Sequence, residues 1–288
     1  MRRHDESLVV GIDIRTFDAR AVAMPADFSI VASGAAKLAA FSADHRDPAD
    51  WRKAVETALR LVLDAVEPGK IRALAADGTS GTKLPVSAVG ELLAVPMMYN
   101  DANDDNVILA WIARHAPQNS AVHGGTSALA KLRTSQRQSE AFRVIHQADW
   151  IMGHFSGLYG VSDGNCALNT GYDPITRCWP GWIAETDADT ALLPEILPAR
   201  TLAASICADA AAAYGLPGNA LSVAGTTDGC ASFLATGPHR RGDGVSVLGT
   251  TLTIMMLSDV PLFVPEYGIY SHRIGDMWLA GAITAGVT

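Results

Sequence analysis

The sequence lacks the ligand and anchor motifs of several common classes of protein. Its four cysteines form no C-x-x-C pair, and its eight histidines form no H-E-x-x-H or comparable spacing, so a zinc site is not indicated. No apolar stretch is long enough to span a bilayer. Residues 1–7 are charged, and the apolar run after them is cut by Asp13, which is unlike a signal peptide. We therefore expect reduced cysteines, a cytoplasmic protein and no membrane partner.

Positive charge is also scarce. Lysine and arginine number 22 against 30 aspartates and glutamates, and the formal net charge is -8. Binding of nucleic acid needs a basic face, so no nucleic-acid partner is expected. Hydrophobic residues make up 49% of the chain and charged residues 18%, so a chain of 288 residues can bury the core of one large domain or two ordinary ones.

Two common nucleotide-binding fingerprints are missing as well. The chain contains neither G-x-x-x-x-G-K-[ST] nor a strand-linked G-x-G-x-x-G, so any use of ATP must follow a different binding mode. It contains no G-x-S-x-G elbow, so an α/β-hydrolase has no support.

What the sequence does contain is an alternation of strand and helix patterns. Residues 8–13 and 19–24 are apolar strands joined by a turn, residues 51–66 have helical periodicity, and residues 71–76 resemble a buried strand. This order predicts an α/β layer. Further along, we expect helices over 105–115, 127–135, 142–158, 203–214 and 230–235, strands over 95–99 and 221–224, a hairpin near 86–93, and a long ordered loop over 162–182.

The strand–turn–strand unit of residues 8–24 recurs at residues 245–257. Two such units could open two related domains. Strands over residues 245–288 would leave apolar side chains exposed, so we expect a homodimer or aggregation.

Three carboxylates, Asp13, Asp101 and Asp228, come just after predicted strands. In open α/β sheets, ligands bind beyond the carboxyl ends of strands, so these carboxylates could meet in one cleft. One could hold Mg²⁺ while another takes a hydroxyl proton, as phosphoryl transfer requires. The alternative is that each simply caps a turn or a helix.

A second candidate is the turn Gly249-Thr250-Thr251 between two strands. Glycine allows close approach of the backbone to an anion, and Thr hydroxyl and N–H groups can donate to phosphate oxygens. The alternative is an ordinary hairpin turn.

The joint pattern resembles the FGGY carbohydrate kinase family, closest to its D-ribulokinase-like and xylulokinase-like members, over nearly the whole chain. The segments that carry the resemblance are Val10-Gly-Ile-Asp13, Ala76-Asp-Gly-Thr-Ser-Gly-Thr82, Met98-Tyr-Asn-Asp101, His146-Gln-Ala-Asp-Trp150, Val161-Ser-Asp163, Asn165-Cys-Ala-Leu168, Gly171-Tyr-Asp-Pro174, Gly225-Thr-Thr-Asp228, Leu248-Gly-Thr250 and Tyr270-Ser-His-Arg273.

The resemblance implies an α/β fold of the actin-like ATPase (ribonuclease H-like) type, with the active site between two similar domains. It implies an N-terminal sugar-binding domain over residues 1–241. Family members continue into a C-terminal domain that binds ATP, so residues 242–288 are expected to be the incomplete start of that domain.

The resemblance also implies roles for particular residues. Asp228 is implied as the catalytic base and a sugar contact, and Asp13 as the carboxylate near Mg²⁺ and the transferring phosphoryl group. The remaining site residues are Thr16 in the first phosphate turn, Gly249, Thr250 and Thr251 in the second, and Ser80, Asn100 and Asp101 in the sugar pocket. ATP and Mg²⁺ are the implied cofactors, and a small sugar is the implied partner.

The first phosphate turn departs from the family pattern Asp-x-Gly-Thr-Ser-Gly. Arg15, Phe17 and Asp18 stand where the family has Gly, Ser and Gly. The leading hypothesis is therefore ATP-dependent phosphorylation of a small sugar, such as the ketopentoses D-ribulose or D-xylulose. The alternative is a catalytically impaired sugar-binding or regulatory remnant that keeps Asp101 and Asp228.

Overall fold

The structure, a computed structural model, describes residues 7–42, 44–248 and 252–284. Its strands are β1 (Leu8–Ile14), β2 (Asp18–Met24), β3 (Ala32–Lys37), β4 (Ile71–Gly78), β5 (Lys83–Val86), β6 (Arg143–His146), β7 (Val161–Asp163), β8 (Glu195–Leu197), β9 (Leu202–Ser205), β10 (Leu221–Val223), β11 (Thr226–Thr227), β12 (Gly244–Leu248), β13 (Leu252–Ser258), β14 (Tyr270–Ile274) and β15 (Met277–Thr284). Its α-helices are α1 (Pro48–Leu63), α2 (Asn106–His115), α3 (Ala128–Gln138), α4 (Gln147–Ser156), α5 (Gly164–Ala167), α6 (Trp182–Glu185), α7 (Ala208–Tyr214) and α8 (Asp228–Ala235).

The main sheet has the strand order β3-β2-β1-β4-β10-β9, and β11 also pairs with β4. Strand β4 is parallel to β1, β10 and β11, whereas β1, β2 and β3 form an antiparallel meander. Alternate side chains of β1, from Leu8 to Ile14, are buried, as expected for a strand with one face on the core. The parallel strands therefore present their carboxyl ends along one edge of the sheet.

Helices α1 and α4 cover this sheet. Asp47 caps α1 by accepting from the Ala49 N–H, and Pro48 occupies the first helical position, where its missing N–H has no consequence. Helix α1 packs on β1, β2 and β3, and α4 packs on β4, β9 and β10. Their fully buried side chains, such as Trp51, Leu59 and Ile151, share one core with the sheet.

A second sheet follows, with the order β12-β13-β15-β14. Helix α8 packs on it through Cys230 and Phe233, which are buried against Leu257 and Leu279. Val247, Ile254 and Met256 on the edge and middle strands are 44–47% exposed. This agrees with the expectation of exposed apolar strands, and self-association stays a prediction. In the described ranges no helix is both long and apolar enough to cross a membrane.

Three secondary-structure predictions were wrong. The helix expected over 203–214 is strand β9 followed by α7, the helix expected over 142–158 begins with strand β6, and the loop expected over 162–182 begins with β7 and α5. Each short strand pairs with a partner distant in sequence, β10, β5 and β8 respectively, which a local pattern does not contain. The strand expected over 95–99 is reduced to a single bridge between Met97 and Lys83.

A lysine is fully buried where β5 pairs with β6. Lys83 Nζ lies 2.8 Å from His146 Nε2, and His146 Nδ1 lies 2.8 Å from Asp149 Oδ2 and 3.0 Å from Ser162 Oγ. Burial lowers the pKa of Lys83 to about 7, although the Asp149 charge opposes this decrease. Burial and the charge of Lys83 also lower the pKa of His146. Above neutral pH, Lys83 therefore loses its proton when the chain folds.

Replacing Lys83 with methionine is expected to remove part of the pH dependence of stability. Between about pH 7 and the ordinary lysine value of 10.5, unfolded Lys83 holds a proton that folded Lys83 lacks. The free energy of unfolding therefore rises with pH in this range, by up to about 1.4 kcal/mol per pH unit from this one group. Urea denaturation gives the free energy of unfolding at each pH between about pH 7 and 9. This free energy should rise less steeply with pH, or fall, in Lys83→Met, and it should follow the native pH dependence in the exposed control Lys37→Met. An unchanged slope in Lys83→Met would contradict the prediction.

Candidate functional site

Three carboxylates are brought to one end of the main sheet by strand register. The parallel pairing of β1 with β4 sets Asp13 beside Asp77, and the pairing of β11 with β4 sets Thr226 beside Asp77. Asp228 follows β11 directly as the first residue of α8. Two of the three carboxylates predicted after strands, Asp13 and Asp228, thus share this edge, which is where ligands bind in open α/β sheets.

Asp77 is the most perturbed member of this acidic cluster, which we define as Asp13, Asp77 and Asp228. Burial raises the pKa of Asp77 well above its ordinary range, and the Asp13 charge, a hydrogen bond with Asp13 and the Asp228 charge raise it further. Because the pKa of Asp77 is raised to about 9, the Asp77 carboxyl group keeps its proton at neutral pH. Asp77 Oδ1 is buried and has no hydrogen-bond partner among the described residues.

Asp228 is half-buried in the first turn of α8, which begins after the cap Thr227. Burial raises the pKa of Asp228, and the Asp13 charge adds to the increase. The Gly229 N–H donates to Asp228 Oδ1 at 2.8 Å, and the backbone N–H groups of Gly229 and Ser80 oppose the increase in pKa. A carboxylate of raised pKa that is held in place by a backbone donor is suited to accept a proton.

The first turn forms without glycine. Arg15 N–H donates to the Asp18 carbonyl at 2.9 Å, and residues 15–18 all have negative φ, so no residue adopts the left-handed conformation that favours glycine. Arg15 Nε lies 3.6 Å from Asp13 Oδ2, and the Asp18 carboxylate accepts from Arg20 at 3.0 Å. Thr16 lies half-buried in this turn.

The residues predicted to line a sugar pocket lie on two loops that Lys131 holds together. Lys131 Nζ donates to the carbonyls of Met98 at 2.7 Å, Tyr99 at 2.9 Å and Gly81 at 3.3 Å. It thereby ties the loop after β4 to the loop over residues 97–101. The backbone N–H of Ser80 on the first loop opposes the increase in the pKa of Asp228, so this loop lies beside the acidic cluster.

Ser80, Asn100 and Asp101 differ in their surroundings. Ser80 Oγ accepts from Asn169 Nδ2 at 2.8 Å, and the Asp101 carboxylate accepts from Met98 N–H at 2.7 Å and forms a close ion pair with Arg46. Asn100 is exposed beside Asp101. The Asp101 carboxylate therefore already has two protein donors, whereas the Asn100 amide is open to solvent.

Sequence reasoning missed two polar residues at this edge. Asp77 follows an apolar strand just as Asp13 does, so the same signal could have identified it. Asn165 carried no such signal, because its role depends on the second sheet. Its Nδ2 donates to Thr226 Oγ1 at 3.0 Å and to the Arg273 carbonyl at 3.1 Å, and its Oδ1 accepts from Arg273 N–H at 2.9 Å. Asn165 therefore joins β11 to β14.

The predicted second phosphate turn, Gly249, Thr250 and Thr251, lies outside the described residues. The strands on either side of it, β12 and β13, pair antiparallel from Gly244 with Met256 to Leu248 with Leu252.

The acidic cluster fits a divalent cation only in part. No group of three or more His, Cys, Asp or Glu side chains within the described ranges is arranged to hold a metal ion by itself. Mg²⁺, however, is usually held by one or two carboxylates and completes its shell with water and phosphate oxygens. Asp13, which is one-third exposed, offers a carboxylate of that kind, and beside it Asp77 Oδ1 is buried with no hydrogen-bond partner among the described residues.

Replacing Asp77 with asparagine is expected to stabilise the fold at neutral and alkaline pH. Because the pKa of Asp77 is raised on folding, the native chain loses stability as pH rises above the ordinary value of 3.8. The uncharged Asn should therefore increase the free energy of unfolding by about 1–2 kcal/mol near pH 8, and by less near pH 4. Urea denaturation measures this, with the exposed Asp104→Asn as the control. A less stable Asp77→Asn at pH 8 would refute the expected cost of protonating this buried carboxyl group on folding.

Comparison with solved structures identifies the fold. Xylulose kinase from Rhodospirillum rubrum aligns with a TM-score of 0.83 and 22% identity, covering 97% of this chain and 61% of that chain. Ligand-bound xylulose kinase from Lactobacillus acidophilus gives 0.81 and 18%, covering 96% and 59%. Glycerol kinase from Plasmodium falciparum with ADP gives 0.74 and 13%, covering 97% and 61%.

No protein-family model matches the chain. The chain spans about 61% of the length of the Rhodospirillum rubrum kinase. The TM-scores of 0.74–0.83 establish a shared fold over nearly all of this chain, at sequence identities of only 13–22%. The α/β architecture predicted from the sequence is therefore confirmed: the chain has the actin-like ATPase fold of the sugar kinases.

Proposed function

We propose that this chain belongs to a carbohydrate kinase and takes part in ATP-dependent phosphorylation of a small sugar. The observation that carries the proposal is the convergence of Asp13, Asp77 and Asp228 at the carboxyl end of the sheet, in a chain with the sugar-kinase fold. Phosphoryl transfer needs an oriented hydroxyl nucleophile, a group to take its proton and a cation for the phosphates. The acidic cluster supplies carboxylates for the last two of these needs.

Asp228 is the proposed catalytic base. The raised pKa of Asp228 brings the carboxylate closer to the operating pH, where general-base catalysis is most effective. The N–H group of Gly229 donates to its Oδ1 at 2.8 Å and helps to fix its orientation. A sugar hydroxyl within hydrogen-bond reach of the free carboxylate oxygen would lose its proton as it attacks the γ-phosphate.

Asp13 is the proposed ligand of Mg²⁺, with Asp77 beside it. When bound, Mg²⁺ neutralises charge on the phosphates of ATP. The raised pKa of Asp77 keeps its carboxyl group uncharged at neutral pH, and this reduces the number of negative charges that face the incoming nucleotide. Thr16 and the turn of Gly249, Thr250 and Thr251 are proposed to donate to the phosphates.

The sugar is proposed to lie over the two loops joined by Lys131, in contact with Ser80, Asn100 and Asp101. Hydroxyl-rich ligands need several fixed donors and acceptors, and a rigid tie between the two loops provides this. The proposed substrate class is a ketopentose such as D-ribulose or D-xylulose. The support is the resemblance of the sequence to D-ribulokinase-like and xylulokinase-like proteins, together with the fold it shares with two xylulose kinases.

The second candidate function is sugar binding without phosphoryl transfer. The ion pair between Arg15 and Asp13 favours it, because a guanidinium there occupies the carboxylate proposed for Mg²⁺. Such a chain would keep Asp101 and Asp228 for the sugar but would not use ATP.

Coupled ADP-release assays with ATP, Mg²⁺ and a panel of ketoses and polyols test the two candidates. Turnover with one sugar supports the kinase. Calorimetric binding of a sugar, with no ADP formed and no nucleotide bound, supports the binding protein. If neither sugar nor nucleotide binds to a chain that circular dichroism shows to be folded, both proposals fail.

A further inference from the structure

Among the described residues, Arg15 is the cation that forms an ion pair with the acidic cluster. It follows β1 in the turn to β2, and its Nε is 3.6 Å from Asp13 Oδ2. The side chain is 45% exposed, and its guanidinium makes no hydrogen bond to any residue that the structure describes. It is therefore held by charge rather than by a fixed network, and it can move without breaking a hydrogen bond.

The charge of Arg15 reaches the whole acidic cluster. It opposes the increases in pKa of both Asp77 and Asp228, although its contact is with Asp13. The other ionic groups of the turn are paired elsewhere, because Asp18 binds Arg20 at 3.0 Å. Within the part of the chain that the structure describes, Arg15 is thus the one positive charge paired with the carboxylate where a divalent cation would bind.

A guanidinium and a divalent cation cannot both occupy the same carboxylate face. Like charges that approach within a few ångströms repel, and the effect is strong near a partly buried site. A cation that comes with a nucleotide differs from a free one, because phosphate oxygens complete its shell and can also receive the displaced guanidinium bidentately.

We propose that Arg15 is a tethered competitor of the divalent cation at Asp13, so that the chain binds the metal weakly while the Arg15 guanidinium stays beside this carboxylate. The inference rests on the proposed function, in which Asp13 is a metal ligand.

The test is titration of the full 288-residue chain with Mn²⁺ alone, with free Mn²⁺ measured by electron paramagnetic resonance. Arg15→Gly and Arg15→Gln should each bind Mn²⁺ about ten-fold more tightly than the native chain at low salt. The gain should shrink near 1 M salt, where the Debye length is about 3 Å. Arg20→Gln is the matched control, because it removes an arginine–aspartate pair from the same hairpin and leaves the acidic cluster intact.

A second comparison tests whether the gain in Mn²⁺ affinity arises at Asp13. Asp13→Asn combined with Arg15→Gln should lose the extra affinity. Unchanged or weaker Mn²⁺ binding by both Arg15 variants would overturn the inference, as would a gain that survives Asp13→Asn. The Gln variant keeps an unbranched polar side chain in the turn without the positive charge, so it decides the outcome if Arg15→Gly unfolds. Neither sugar nor ATP is present, so this result is independent of whether the chain phosphorylates a sugar.

Discussion

Replacing Asp228 with asparagine is expected to lower kcat for sugar phosphorylation by about 100- to 10,000-fold. The amide cannot take a proton from the attacking hydroxyl, but it has the volume of the carboxylate and keeps an oxygen that accepts from Gly229 N–H. Sugar affinity should therefore change only a few-fold. Steady-state kcat and the calorimetric Kd, measured with the sugar that the panel identifies, separate the two effects.

The matched control for this variant is Asp209→Asn. Asp209 is also an aspartate in the first turn of a helix, but it lies exposed in α7, away from the acidic cluster. It should retain native kcat. A kcat for Asp228→Asn within about ten-fold of the native value would show that another group takes the proton, and the assignment of Asp228 as base would be wrong.

The second large effect is expected at Gly225, where alanine should destabilise the fold by about 3 kcal/mol and abolish activity. A Cβ at this position would lie 1.7 Å from the Ala76 carbonyl oxygen and 2.9 Å from its carbon, and a backbone carbonyl cannot move aside as a flexible side chain can. Strand β11 would have to move away from β4. The register that sets Thr226 beside Asp77 would then be lost, and the position of Asp228 with it.

Gly229→Ala provides the control for Gly225→Ala. A Cβ on Gly229 meets nothing within 4 Å, and alanine favours helix more than glycine does, so this variant should be as stable as the native chain or more so. Urea denaturation gives the free energies of unfolding, and the coupled assay gives the activity. Native stability of Gly225→Ala would mean that β11 can separate from β4 without consequence.

The long, strongly patterned elements were predictable from the sequence, and the short ones were not. The pattern of residues 51–66 located α1, and the apolar runs located β1, β2 and β4. Strands β6 and β9 have four residues each and exist because of partners about 60 and about 20 residues away, so no local signal defines them. The order of motifs along the sequence indicated the family resemblance, and the solved structures that share the fold are carbohydrate kinases, in agreement with it.

The part of the candidate site that could be predicted from the sequence is the part that directly follows predicted strands. The rule that ligands lie beyond strand carboxyl ends led to Asp13 and Asp228, and the register places both at one edge. Asp77 was not predicted as a site residue. Its raised pKa depends on burial and on neighbouring carboxylates, and these become apparent only when β1 and β4 are paired. The ion pair between Arg46 and Asp101 could not be predicted for a similar reason, because 55 residues separate the partners. The roles of the site residues stay predictions.

The buried lysine of β5 and the aspartate at the end of β4 have a joint consequence for the charge of the native chain. Near pH 8, folding removes a proton from Lys83, whose pKa falls to about 7, and adds one to Asp77, whose pKa rises. Folding thus removes one proton from the Lys83 ammonium group and adds one to the Asp77 carboxylate. The summed charge of these two side chains remains zero, but both are uncharged in the folded chain, whereas both are ionised in the unfolded chain. The two groups contribute slopes of opposite sign to the pH dependence of stability, so each single variant reveals the contribution of the other group.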